Sequence, residues 1–285
     1  MEIKKYSDAN YFLNDNHQFL FANESANNLI IGIANKLGAR KEQSDALMCS
    51  VREDNNILLA AVMTPPRDLI VASSETNERA ISLLINDFII NKTDIPGILA
   101  ENTFADLFCK KWSEETSDEL KLFRKDRAYQ LRECKDIKLS SGQRRLAVRD
   151  DIDLIAEWVR DFHSEINESI TDEGARQMSA VKIANKEIFV WIDGEIVSMC
   201  ATDRETQRGK VINLVYTPPQ NRGKGYATSC VFNLCKQILD EGKSFCSLFA
   251  DLDNQTSNSI YGKIGFIPIL DLLHFKFEKR RERAV

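Results

Sequence analysis

Apolar positions along the chain recur with two different periods. Apolar residues three and four apart predict amphipathic helices over 14–33 (Phe19, Leu20, Leu29, Ile30, Ile33), 75–90 (Ala80, Leu83, Leu84, Phe88), 104–112, 150–167 (Ile152, Ile155, Ala156, Val159, Phe162, Ile166), 173–185, 227–239 and 254–264. Short apolar runs predict strands over 57–63, 95–100, 128–139, 187–192, 195–202, 211–216, 244–251, 266–269 and 274–278. Asp193-Gly194, between two of these runs, is a two-residue hairpin signal. This alternation predicts an α/β fold with a mixed sheet.

The stretch 211–227 stands out. An apolar run, Val211 to Tyr216, is stopped by Thr217-Pro218-Pro219, since proline has no N–H for a ladder. Gly223 and Gly225 follow, flanked by Arg222 and Lys224, and a helical pattern begins at Ala227. A glycine loop ahead of a helix start suits an anionic ligand, because free N–H groups and the dipole point at it. A dinucleotide fingerprint needs a third glycine where Thr228 stands. A P-loop needs glycine at Pro218 and a hydroxyl residue at Gly225. Both fail.

The chain also echoes itself. Thr64-Pro65-Pro66 precedes Thr217-Pro218-Pro219 by 153 positions, Ile98–Glu101 precedes Leu248–Asp251, and a helix follows in each case. This predicts two copies of one unit, with a boundary near Ser140-Ser141-Gly142. On that alignment the first copy reads Arg67-Asp68-Leu69-Ile70-Val71-Ala72, without glycine and with an acidic side chain that would repel a pyrophosphate.

Composition narrows the function. The 285 residues carry a net charge of −5, which argues against a general nucleic-acid binder. The apolar stretches are too interrupted to span a bilayer, and the first residues show no apolar signal region. Seven cysteines without a Cys-x-x-Cys pair predict buried, reduced thiols in a cytoplasmic protein. His17, His163 and His274 have no metal-ligand spacing, so no metal is expected.

Two registers of 220–227, Gln220-x-x-Gly223-x-Gly225 and Arg222-x-x-Gly225-x-Ala227, resemble the acyl-CoA pyrophosphate loop of the GNAT superfamily of N-acetyltransferases. Asn254, Ser257, Asn258, Tyr261, Gly265 and Phe266 match the superfamily's Asn…Ser-Asn-x-x-Tyr-x-x-x-Gly-Phe helix. The resemblance is specific over 186–270. More narrowly, it is to a bacterial group of predicted acetyltransferases with a degenerate first half.

The resemblance implies two GNAT-like units in tandem: 1–140, lacking the CoA loop, and 141–285, retaining it. It implies acetyl-CoA as acyl donor, bound by Val215, Tyr216, Thr217, Gln220, Asn221, Arg222, Gly223, Lys224, Gly225, Tyr226, Ala227, Asn254, Ser257 and Asn258. Main-chain N–H at Val215 or Tyr216 would meet the oxyanion, and Tyr261 would protonate the leaving thiolate. Asn254 and Asn258 would bind the pantetheine arm or order the helix start. No motif supplies a base; the positions considered are Asn213, Asp203, Glu205, Glu165 and Glu168. The acceptor is expected to be a small-molecule or peptide amine, and the protein a monomer or homodimer. The alternative is a non-catalytic acyl-CoA sensor or interaction module.

Overall fold

A computed structural model describes residues 1–40 and 45–279. The chain divides into two units, and neither is a single continuous segment. The first holds Met1–Ala128, Ala250–Asp253 and the chain from Pro268 onward; the second holds Tyr129–Phe249 and Asn254–Ile267.

In chain order the first unit runs β1 (Glu2–Lys5), α1 (Ala9–Asp15), α2 (His17–Ala22), α3 (Asn28–Gly38), β2 (Leu47–Glu53), β3 (Asn56–Met63), β4 (Leu69–Ser73), α4 (Glu78–Ile90), β5 (Gly97–Glu101), α5 (Asn102–Thr116) and most of β6 (Glu119–Leu131). Neighbouring strands from β1 to β4 are antiparallel. β4 is parallel to β5, pairing Leu69 with Ile98 and Ile70 with Leu99. β3 shows the alternation of a strand buried on both faces. Leu59, Ala61 and Met63 face the α4–α5 core with Phe88, Phe104 and Phe108. Ala60 and Val62 face Phe12, Leu20, Ile30 and Ile31 of α1–α3.

The second unit runs β7 (Gln143–Leu146), α6 (Ile152–Glu165), α7 (Asp172–Ala184), β8 (Ile188–Asp193), β9 (Glu195–Glu205), β10 (Gly209–Tyr216), α8 (Tyr226–Asp240), β11 (Phe245–Asp251) up to Phe249, and α9 (Gln255–Ile264). β7 to β10 are antiparallel neighbours, and β10 is parallel to β11. Ile155, Trp158 and Val159 of α6 pack with Met199, Ala201, Leu214 and Tyr216 on one face of the sheet. α8 packs on β8, β9 and β10. The last strand, β12 (Ile267–Glu278), lies in the first unit from Pro268 on. There Leu272–Lys276 pair antiparallel with Glu101–Gly97 of β5.

Several expectations change. The stretch 14–33 falls across three helices, and side-chain amides take nearby carbonyls at the breaks: Asn16 Nδ2 donates to Phe12 O (2.8 Å), Asn27 Nδ2 to Leu20 O (2.9 Å) and Asn28 Nδ2 to Ser25 O (2.7 Å). The pieces 266–269 and 274–278 are one strand; Asp271, which interrupts its apolar pattern, is held by Arg127 (2.5 and 2.7 Å). The units exchange chain inside β6, between Ala128 and Tyr129, not near Ser140. Residues past β6 follow the second unit: Lys135 N donates to Ile264 O (2.8 Å) and Ser140 N to Ser229 Oγ (2.9 Å).

The internal repeat is real in topology but shifted by one strand. Thr64-Pro65-Pro66 joins the antiparallel strands β3 and β4, whereas Thr217-Pro218-Pro219 joins β10 to α8. The counterpart of β10 is β4, since each is parallel to the strand that follows its helix. The first unit's equivalent of the glycine loop is therefore 74–77, Ser-Glu-Thr-Asn. Asp68 is not a loop charge. It lies nearly buried ahead of β4, accepting from His274 Nε2 (2.6 Å) and Lys276 Nζ (2.5 Å) on β12.

Candidate active site

β10 pairs with β11 only at Gly209, Lys210 and Val211. Beyond Val211 the two strands part, so backbone groups of 212–216 on that side are not taken up by β11. On its other side β10 carries a bulge. Asn213 pairs with Ala201 and Tyr216 with Met199, leaving one more residue on β10 than on β9. Leu214 takes up the irregularity at φ 48°, a left-handed conformation costing roughly 1 kcal/mol in a non-glycine residue. Asn213 Oδ1 accepts from Leu214 N (2.8 Å). Val215, half-buried, and Tyr216 thus sit at a strand end distorted on one side and released on the other.

The glycine loop follows. Thr217 Oγ1 shares a hydrogen bond with Ser198 Oγ (2.8 Å), and Pro219–Asn221 form a single 3-10 turn that buries Asn221. Gln220, Arg222, Gly223, Lys224 and Gly225 are exposed. Gly223 and Gly225 have φ of 78° and 81°, which side-chain-bearing residues adopt only with strain. At Gly223 a Cβ would meet nothing within 4 Å. Gly225 is the N-cap of α8 and offers no side chain, and the first turn of α8 holds no acidic residue. The N–H groups of Tyr226, Ala227 and Thr228 thus begin a helix that its own chain leaves uncapped.

Tyr226 and Tyr216 are oriented by carboxylates. Asp193, in the β8–β9 turn, accepts from Tyr226 Oη (2.6 Å) and Ser141 Oγ (2.7 Å). Those two bonds, Tyr226's first, hold the Asp193 carboxyl below its usual range. Tyr216 Oη donates to Asp161 (3.0 Å), and burial, then Asp161, push this phenol up to about 12. Arg222 donates from Nε to Thr217 O (2.8 Å) and pairs through its other nitrogen with Glu165, at the end of α6.

The carboxylates considered as bases are occupied. Asp203 pairs with Arg204 (2.7 Å) and lies 3.8 Å from Lys182. Glu205 pairs with Lys243 (2.6 Å) and Lys210 (3.4 Å); the hydrogen bond from Lys243 leads in holding its pKa down. Glu165 is taken by Arg222, and Glu168 also has a partner.

α9 carries the second constellation. Asn254 caps it, its Oδ1 accepting from Ser257 N (3.0 Å), so it orders the helix start. Gly265 closes the helix at φ 119°. Asn258 Oδ1 accepts from Tyr129 Oη (3.1 Å). Tyr261 is 6% exposed, its ring 6.0 Å from that of Tyr129 and 5.8 Å from that of Phe266. Among the described residues its hydroxyl meets no hydrogen-bond partner, and burial raises its pKa strongly. Ser257 and Asn258 are half-buried on the same helix.

The structure brings Val215 through Ala227 together as one strand–loop–helix junction. It sets Asn254, Ser257, Asn258 and Tyr261 on α9, which packs against α8. Tyr129, Asp161, Asp193 and Ser198 are added to the site. Tyr129 lies 129 positions before Asn258 in sequence, and no local motif signals it. Asp193 is visible in sequence only as a turn residue.

Among the described residues no group of three or more His, Cys, Asp or Glu is placed to hold a metal ion. No helix there is long and apolar enough to cross a membrane. All seven cysteines are free thiols.

Residues 191–274 match the family model described as FR47-like protein. An N-alpha-acetyltransferase of Arabidopsis thaliana, MAK3, is 33% identical over 82 residues, 29% of this chain and 43% of that protein. The chain thus spans less than half the length of that curated relative. Among solved structures, a GCN5-related N-acetyltransferase from Sphaerobacter thermophilus aligns with a TM-score of 0.65 at 14% identity, over 99% of this chain and 97% of its own. A tandem GNAT protein from the clavulanic acid biosynthesis pathway aligns with a TM-score of 0.56 at 11% identity, over 99% of both chains. Residues 191–274 of the second unit are thus similar to FR47-like proteins, and the chain as a whole shares the fold of solved GNAT proteins, a tandem one among them.

Proposed function

We propose that the second unit binds acetyl-CoA at the β10–α8 junction and transfers the acetyl group to an amine. The observation that carries this reading is the uncapped start of α8, reached through Gly223 and Gly225 from a strand end released by its parallel neighbour. The N–H groups of the first turn suit the pyrophosphate. Exposed Lys224 adds positive charge, while Arg222 must exchange Glu165 for the ligand. The freed backbone around Val215 and Tyr216 suits the pantetheine arm and the thioester carbonyl.

In the chemistry so supported, the amine nitrogen attacks the acetyl carbon and an N–H of the Val215–Tyr216 segment meets the oxyanion. The C–S bond breaks with its electron pair on sulfur, and Tyr261 gives its phenolic proton to that thiolate. The proton lost by the amine nitrogen then restores the phenol. Burial suits Tyr261 to this role: it stays protonated through neutral pH, and its hydroxyl is not spent on another protein group.

The acceptor is an amine, and the name of the Arabidopsis relative puts peptide α-amines first on the panel to be screened. The free thiols support a cytoplasmic setting. A second reading, an acyl-CoA-binding module without turnover, is favoured by one observation: the carboxylates that touch the junction, Asp161, Glu165 and Asp193, are engaged by Tyr216, Arg222 and Tyr226. Thiol release from acetyl-CoA across an amine panel separates the two. Catalysis predicts release that Tyr261→Phe cuts by about 100-fold in kcat, with KM for acetyl-CoA nearly unchanged. Ligand binding without release from any amine supports the module.

A further inference from the structure

Tyr129 opens the short run of chain, 129–135, that closes over α9. Lys135 N donates to Ile264 O (2.8 Å), and Lys135 Nζ donates to Gly262 O (3.2 Å). At Gly265 an added Cβ would lie 3.0 Å from Glu133 O and 3.2 Å from Leu131 Cδ1, so the contact is close along the helix end. Tyr129 itself is 5% exposed.

Its two ends do different things. The ring lies 6.0 Å from the Tyr261 ring, tilted by 51°, and covers part of it. The hydroxyl passes Tyr261 by and donates to Asn258 Oδ1, one turn earlier on α9. A buried tyrosine hydroxyl usually finds a hydrogen-bond partner, and that of Tyr129 takes Asn258 rather than Tyr261. Tyr129 therefore packs on the Tyr261 ring without taking up its hydroxyl.

We propose that Tyr129 is a positioning residue for acyl transfer: its ring packs against that of Tyr261, and its hydroxyl fixes the turn of α9 that aims it. This rests on the reading of Tyr261 as the proton donor. It also gives β6 a functional end, since the strand that starts in the first unit delivers Tyr129 to the second. The upward shift at Tyr261 is caused chiefly by burial, to which the packed Tyr129 ring contributes.

Two substitutions separate the roles. Tyr129→Phe keeps the ring and loses the bond to Asn258; Tyr129→Leu loses both. The first readout is thiol release from acetyl-CoA, with whichever panel amine turns over, across a pH series. Tyr129→Phe is expected to lower kcat by about fivefold with KM for acetyl-CoA within about twofold. The second readout needs no acceptor. Alkaline titration of tyrosinate absorbance, with Tyr261→Phe subtracted, isolates Tyr261. In Tyr129→Leu it is expected to ionise about one pH unit lower, because loss of the packed ring lessens its burial. A Tyr129→Phe protein with unaltered kcat, or a Tyr261 titration that stays put in Tyr129→Leu, overturns the proposal. A loss of melting temperature alone, with both readouts unmoved, marks a purely structural residue and overturns it too. If Tyr261→Phe itself leaves kcat intact, the donor assignment fails. If Tyr261→Phe is crippled and the Tyr129 variants are not, the positioning role alone fails.

Discussion

The β4–α4 and β10–α8 junctions occupy the same place in their two units, and they satisfy the helix start in opposite ways. At α4 the chain does it alone. Asn77 accepts from Ala80 N (3.0 Å), and Glu78 adds negative charge to the first turn. That helix start already has the acceptor and the charge that a bound anion would bring. At α8 glycine stands in the capping position and no acid follows. Both units part their parallel strands soon after the first residue pairs, so the cleft alone does not distinguish them. What separates the two junctions is the cap: a side chain closes the start of α4, and none closes that of α8.

Breaking that difference should have its largest effect at Gly223. Gly223→Glu keeps space free around Cβ but strains φ and sets a carboxylate on the loop. Its affinity for CoA should fall by at least about 100-fold. Wild-type protein at 100 times Kd should gain about 2.7 kcal/mol of thermal protection, and the variant almost none. Equal protection in the two proteins would remove the pyrophosphate from this loop.

Of similar size is the effect at Asp68, the residue placed by sequence on the first copy's loop and by structure on the last strand's anchor. Burial pushes its carboxyl up, but hydrogen bonds from His274 and Lys276, together with their charge, hold it below the ordinary range. A carboxylate with a depressed folded pKa stabilises above its unfolded value, and that contribution is lost as pH falls through the folded one. Acid unfolding curves should therefore show an Asp68 contribution that vanishes at low pH. Asp68→Asn should cost on the order of 3 kcal/mol at neutral pH, with the difference from wild type shrinking in acid. CoA binding to the second unit should be unaffected.

Asn77→Ala sharpens the comparison from the other side. It should cost about 1 kcal/mol of stability without conferring CoA binding, because residues 74–77 bring no glycine to the first unit. A second CoA equivalent bound by this variant, seen by calorimetry, would mean that the cap alone had closed the site. Smallest is the surface pair of Arg222 and Glu165, both nearly half exposed. Such pairs contribute at most about 1 kcal/mol. Glu165→Gln should tighten CoA by no more than about fivefold, by removing a competitor for Arg222.

The strand–loop–helix junction at Gly223 and Gly225 and the helix α9 with its Asn254 cap were legible because their structural signals are local. The Asp193-Gly194 turn and most strands of the second unit were legible for the same reason. β4 was not. Its five residues lie between Asp68 and the polar 74–77, and its burial comes from partners on both sides of the sheet. Reading it as loop moved the repeat by one strand. The break of the first helix at Asn16 comes with side-chain amides taking backbone carbonyls, which apolar periodicity does not register. Tyr129 was invisible because its contacts with Asn258 and Tyr261 exist only once β6 is in place.

The first unit's sheet needs β12, the last strand in chain order, against β5. During synthesis the ribosome delivers β5 long before the strand that will flank it. Until Leu272–Lys276 emerge, Gly97–Glu101 keep an unpaired edge, and Asp68 lacks His274 and Lys276. The two halves of the gene product therefore cannot mature as beads on a string: the first to be made is the last to be finished. Contacts of such long sequence separation slow folding and leave an open strand edge to chaperones or to neighbouring chains in the meantime. A polypeptide cut near residue 140 would lack that strand however stable the rest of its first unit.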